Sequence, residues 1–211
     1  MGQYLITGAF SGLGYALSQE LLNRDCQVIG LGRNIQSRSR EITAQFTDLI
    51  ELDLAQPQPD EITEKIRVAV GNHPNLHLVI NAAQIEPLGT LGSLDNTAIA
   101  EAVNVNLTSA LLLMNTFLRF TTPTSRIFVI GTGATRQLIA GWDIYSISKL
   151  GLMRAYEFID SQSPGRAVWI DPGVIDTNMQ RQLGKSPWGV SGNDLAPASK
   201  VAKGILDTYL C

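Results

Sequence analysis

The chain has 211 residues, a formal net charge of −3, 45% hydrophobic residues and 17% charged ones. That length and balance suit one α/β domain over residues 1–211 with a sizeable core, and the absence of a basic run or stripe argues against a nucleic-acid partner. Cys26 and Cys211 lack ligand spacing and read as reduced thiols, while no apolar stretch approaches about 18 residues and no signal-peptide pattern is evident, so a cytoplasmic protein away from the membrane is expected.

Residues 3–7, Gln-Tyr-Leu-Ile-Thr, predict a short strand that runs into Gly8. Gly8, Gly12 and Gly14 then lead into an amphipathic run, predicting a helix over 12–24. Strand, glycine turn and helix are what a dinucleotide-phosphate loop needs, because the backbone must turn sharply and offer free N–H groups to an anion. Strands are predicted at 27–31 and 49–52, with a shortened helix or loop between Asn34 and Asp48, where apolar periodicity is weak. Pro57 and Pro59 precede a predicted helix at 60–70, followed by a strand at 76–80. Ile99 to Phe120 reads as one long amphipathic helix. A strand at 126–131, a helix at 144–160, a strand at 166–170, an irregular segment at 172–195 and a last helix at 197–209 complete the series. Strands alternating with helices demand a doubly wound parallel sheet with right-handed crossovers.

Tyr145 and Lys149 lie four residues apart in the helix predicted at 144–160. Helical geometry stacks the phenol and the ammonium on one face. A nearby cation favours phenolate, so Lys149 is expected to lower the Tyr145 pKa from about 10 toward neutrality. Such a phenol can give a proton to a carbonyl or take one from an alcohol.

Thr7-Gly-Ala-Phe-Ser-Gly-Leu-Gly14, Asn81-Ala-Ala, Asn106, Tyr145-x-x-x-Lys149 and Pro172-Gly173 occur in the order and spacing of the short-chain dehydrogenase/reductases, and the chain resembles that family from residue 3 to about 180. Gly141-Trp142 and the segment Asp171–Met179 look most like its sepiapterin reductase and benzil reductase subgroup. The resemblance implies a Rossmann-type sheet in the order 3-2-1-4-5-6. A seventh strand is expected to be absent, since only Cys211 follows Leu210. It also implies a homodimer through the helices at 99–120 and 144–160 in preference to a tetramer, with a monomer as the alternative.

In the cofactor's place, the resemblance puts Gly8, Phe10, Ser11, Gly12, Leu13 and Gly14 at the phosphates. Gly32 stands where an acidic residue would select NAD, and Arg33 follows, so NADP(H) is expected: a guanidinium can grip a 2′-phosphate and stack on adenine. Asp53 and Leu54 are expected near the adenine, with a turn-forming role as the alternative for Asp53. Asn81, Ala82 and Ala83 would border the adenosine ribose. Pro172, Gly173, Val174 and Thr177 would meet the carboxamide and pyrophosphate.

By the same resemblance Tyr145 gives the proton as hydride leaves the nicotinamide, and Lys149 also binds its ribose. Thr132 polarises the carbonyl where the family generally has Ser. Asn106 holds a water of the proton relay, with Asn104 as a nearby competitor. The expected activity is NADPH-dependent reduction of a carbonyl to an alcohol. Two departures favour the alternative of a weakly active NADP(H)-binding sensor or scaffold: Thr132, and Gln84 where a glycine is usual, which would be strained if its φ were positive. Met179, Leu183 and Trp188 are expected to supply a small apolar lid, and Trp142 to wall the pocket or pack in the core. The subgroup suggests an aromatic or bicyclic ketone, a pterin side-chain carbonyl or a diketone. His73 and His77 lack metal spacing, so no metal is expected.

Overall fold

The computed structural model describes residues 2–183, 189 and 194–210. Six parallel strands, β1 (Gln3–Thr7), β2 (Gln27–Gly32), β3 (Asp48–Glu51), β4 (Leu76–Ile80), β5 (Ile127–Ile130) and β6 (Ala167–Ile170), form one sheet. Their order is β3-β2-β1-β4-β5-β6, as the sequence led us to expect. The strands are short apolar runs because helices cover both faces. Within β1, Tyr4 and Ile6 point to one side, where they pack with Leu17 and Leu21 of α1 (Gly12–Leu22) and Ile205 of α8 (Ala198–Ile205). Leu5 points to the other, where it joins Ile66 of α3 (Pro59–Asn72), Phe117 of α5 (Ser109–Phe120) and Leu152 of α6 (Asp143–Gln162).

Element ends differ from the sequence reading by one to three residues, as fraying ends do. The stretch from Asn34 to Asp48 holds a 3-10 turn, Ile35–Ser37, and a single α-helical turn, α2 (Arg40–Thr43). The segment expected to be irregular contains β7 (Ile175–Asp176) and α7 (Asn178–Leu183). β7 pairs with β8 (Ala196–Pro197) in a second, two-stranded sheet. Strands of two residues carry no readable alternation.

The long helix begins at α4 (Asn96–Val103), where the Asp95 carboxylate caps the Ala98 N–H at 3.0 Å. It passes through a π turn, Asn104–Thr108, into α5. Contrary to the expectation of no long apolar stretch, Asn96–Phe120 is long and apolar enough to cross a membrane. Its Ala110, Leu113, Met114 and Phe117 are nevertheless buried against the sheet, as in a core helix.

β1 and β4 are neighbours whose following helices lie on opposite faces, so a crevice opens between their carboxyl ends. Thr7 closes its floor. The Thr7 hydroxyl oxygen accepts from the Asn81 and Ala82 backbone N–H groups, both at 2.9 Å, and the Asn81 amide donates to the Thr7 carbonyl at 2.9 Å. Thr7→Val keeps the shape but strands two N–H groups, and should lower the unfolding free energy by about 2 kcal/mol or more in urea titrations. An unchanged midpoint and slope would show that these bonds do not hold the crevice.

Candidate active site

A cleft of about 670 Å³ runs along the carboxyl ends of the strands. Every cofactor contact expected from the sequence lines it except Gly14, from Gly8 to Thr177, and so do Thr132, Tyr145 and Lys149. Asn106 does not.

At one end lies the glycine turn. Gly8 and Gly12 take φ values of +66° and +51°, which side chains resist. Gly14 serves packing instead of the cleft: a Cβ there would overlap the Gly8 carbonyl and press on the Asn81 amide. Ser11 stands at the start of α1 in extended conformation, and its hydroxyl makes no capping bond to the helix. This cradle fits a pyrophosphate. Arg33 is exposed at the end of β2 and lines the same cleft. Arg38 lines it too, with its guanidinium 4.8 Å over the Phe10 ring. The sequence reading missed Arg38, because its segment has no periodicity to mark it.

Asp53 combines both roles weighed for it: it lines the cleft, and its carboxylate accepts from the Ala55 N–H at 3.0 Å to shape the turn. The long helix pins this turn. Ser109 Oγ donates to the Leu54 carbonyl at 2.7 Å, and the Asn104 amide donates to the Ala55 carbonyl at 2.9 Å. Asn104 is thereby a fastening residue.

Further along, α6 brings up Tyr145 and Lys149, both buried. Lys149 Nζ donates to the Ile130 carbonyl at 3.1 Å and stands 6.0 Å from the centre of the Tyr145 ring. Burial pushes the Lys149 ammonium down to about 8. The phenol moves opposite to the sequence expectation. Burial pushes Tyr145 up to about 12, a hydrogen bond with Thr132 pulls the other way, and the Asp171 carboxylate adds to the rise. Desolvation of the phenolate dominates, while the Lys149 ammonium is directed to the Ile130 carbonyl. Tyr145 is thus held protonated at neutral pH.

Asn106 is buried in the π turn, and its side chain forms a reciprocal pair with the backbone of Gln84. Its Oδ1 accepts from the Gln84 N–H and its Nδ2 donates to the Gln84 carbonyl, each at 2.8 Å. It fixes the loop after β4 and does not reach the cleft by its side chain. The strain feared at Gln84 is absent, since Asp25 and Asn34 alone among the described non-glycine residues have positive φ. Gln84 lines the cleft, with its side-chain amide 3.3 Å from the Glu86 carbonyl.

Around Tyr145, the buried side chains Ile85, Ala134 and Trp142 form an apolar cluster against which Met179 and Leu183 pack. Trp142 meets Tyr145 edge to face at 5.6 Å, so it both walls the cleft and packs in the interior. Trp188 lies outside the described residues. His77 Nδ1 accepts from the Arg126 N–H at 3.0 Å, and His73 Nδ1 lies 3.3 Å from the Gln3 amide. Among the described residues, no three His, Cys, Asp or Glu gather to hold a metal.

The family model described as short chain dehydrogenase matches residues 3–188. The chain belongs to the short-chain dehydrogenase family. Its relatives include benzil reductase ((S)-benzoin forming) of Bacillus cereus, 27% identical over 199 residues, which span 87% of this chain and 79% of that one. The enzyme of the same name from Bacillus subtilis (strain 168) is 29% identical over 195 residues, or 88% and 79%. Both relatives of this short-chain dehydrogenase carry the name of benzil reductase, one of the two groups whose motifs the sequence resembles. In fold it is similar to the KRED1-Pglu enzyme, with a TM-score of 0.83 and 23% identity over 100% of this chain and 95% of that one. A short chain dehydrogenase from Burkholderia cenocepacia J2315 in complex with NADP has a TM-score of 0.81 and 22% identity, covering 97% and 89%.

Because burial lowers the Lys149 pKa from 10.5 to about 8, the unfolded chain holds this proton where the folded one has lost it. The group therefore costs about 3 kcal/mol below pH 8, and the cost fades as pH rises toward 10.5. Between pH 7 and about 9.5, urea unfolding should shift by ~2 kcal/mol in favour of the wild type relative to Lys149→Met. A pH-independent difference would mean that the ammonium is not desolvated.

Proposed function

We propose that this short-chain oxidoreductase reduces an aromatic ketone or 1,2-diketone to an alcohol, with NADPH as the reductant. The reading is carried by one observation: a buried phenol stands in the cleft wall between an apolar aromatic cluster and a glycine-turn cradle that ends at Arg33. When bound, the nicotinamide supplies the hydride. Tyr145 donates the proton to the carbonyl oxygen, and its raised pKa keeps that proton available in the reductive direction. Thr132, beside the phenol in the same cleft, offers a hydroxyl to the same oxygen. Lys149 adds a positive charge beside the developing alkoxide, and Ile130 holds it in place. Trp142, Ile85, Met179 and Leu183 exclude water and suit a flat apolar substrate. The names of the Bacillus relatives favour a diketone over a pterin, and the NADP complex of the Burkholderia neighbour agrees with the phosphate preference.

A second reading, an NADP(H) sensor without turnover, draws on Gln84, whose side chain lines the cleft where the family usually has none. NADPH oxidation against benzil and a panel of aryl ketones separates the two. Turnover is expected, and binding without oxidation of any panel member would favour the sensor. Tyr145→Phe should lose about two orders of magnitude or more in kcat; full activity in that variant would remove the proposed acid. The reductive kcat/KM should decline above about pH 8 as the Lys149 ammonium is lost.

We also propose a homodimer through α5 and α6. Ile147, Leu150 and Phe158 are 54%, 48% and 61% exposed, and their spacing puts them on one stripe of α6. Ile147→Asp combined with Phe158→Asp should convert a dimer to a monomer in analytical ultracentrifugation. A variant that sediments as the wild type does would rule out this face.

A further inference from the structure

Phe10 belongs to the glycine turn, yet its ring is 6% exposed. It lies on β2. A Cβ built at Gly30 or Gly32 would come within 2.8 or 2.9 Å of ring atoms, and the ring of Phe46 meets it edge-on at 5.1 Å. Gly32 thus does more than lack a carboxylate, because its missing side chain is the space Phe10 occupies. Over the ring stands the Arg38 guanidinium at 4.8 Å, so the aromatic side chain bridges β2 and a cation at the cleft.

Arg33 and Arg38 line this end of the cleft together. Arg24, Arg67, Arg154 and Arg181 each hold a carboxylate. Among the described ion pairs, neither Arg33 nor Arg38 does. Nearby Glu61 is taken by Lys65 at 2.7 Å, and Asp53 accepts from the Ala55 N–H. Arg38 Nε is buried without a hydrogen-bond partner, and a terminal nitrogen reaches only the Arg33 carbonyl, at 3.4 Å. Two like charges facing one cleft, neither of them in a described ion pair with a carboxylate, suit a doubly charged anion, and guanidinium edges match phosphate oxygens.

We propose that Arg38, mounted on Phe10, is a second ligand of the adenosine 2′-phosphate beside Arg33, and a determinant of the preference for NADP(H). The proposal rests on the NADPH reading above. Isothermal titration calorimetry with NADPH, NADH, adenosine 2′,5′-bisphosphate and adenosine 5′-phosphate tests it on wild type, Arg33→Ala, Arg38→Ala, Arg38→Gln and Arg38→Lys. Arg38→Ala should weaken NADPH and the bisphosphate by about tenfold while leaving NADH and the monophosphate within about twofold. Arg38→Gln keeps the stem and should behave alike, so that misfolding of the alanine variant does not hide the effect. Arg38→Lys should recover part of the loss, since charge survives without the flat stacking surface. Equal affinity of the wild type for NADPH and NADH would overturn the NADPH reading and the clamp with it. A wild-type preference that Arg33→Ala abolishes and both neutral Arg38 variants leave intact would overturn the clamp alone. So would an equal loss for all four ligands in those variants, which would assign Arg38 to the adenosine or to folding.

Discussion

Thr7 and Asn81 bind the ends of β1 and β4 together where the sheet's connections change sides, and the rest of the site takes its position from that junction. One hydroxyl oxygen receives two backbone N–H groups while an amide returns a bond to the Thr7 carbonyl. On one side the glycine turn leaves β1 toward Arg33. On the other, the loop after β4 passes Gln84 and Ile85 to reach Trp142 and Tyr145. The two ends of a long ligand are thereby served by two segments that share one hinge of hydrogen bonds.

The reactive end depends on burial more than on pairing. Lys149 is enclosed with its Nζ on the Ile130 carbonyl, and Tyr145 is enclosed beside Thr132. Each group is displaced from its ordinary titration range by loss of water, the ammonium downward and the phenol upward. A core position filled by a hydrocarbon would stabilise the fold better than a desolvated ammonium does. Retaining the charge there is a concession of stability to chemistry.

Much of this was legible in the chain. The apolar runs of β1 and β4, the glycine turn directly after β1 and the four-residue step from Tyr145 to Lys149 are local patterns that marked the strands, the turn and the helix face, and the family resemblance supplied the sheet order and most of the cleft wall. What could not be read depends on contacts between distant segments. Arg38 has no periodic context, and its place comes from Phe10, 28 positions earlier in the sequence. The sign of the Tyr145 shift follows from depth of burial, which spacing on a helix does not encode. The reciprocal pair of the Asn106 amide with the Gln84 backbone joins segments 22 positions apart and left no local pattern to read. The strand pair β7–β8 was too short to leave a signature.

The reciprocal pair between Asn106 and residue 84 uses only main-chain atoms of the latter. The side chain at 84 can therefore be exchanged without breaking this pair, at the loss only of its 3.3 Å bond to the Glu86 carbonyl. Scaffold integrity and molecular taste are uncoupled at this position. Mutational drift there can sample new ligands while the architecture stays intact.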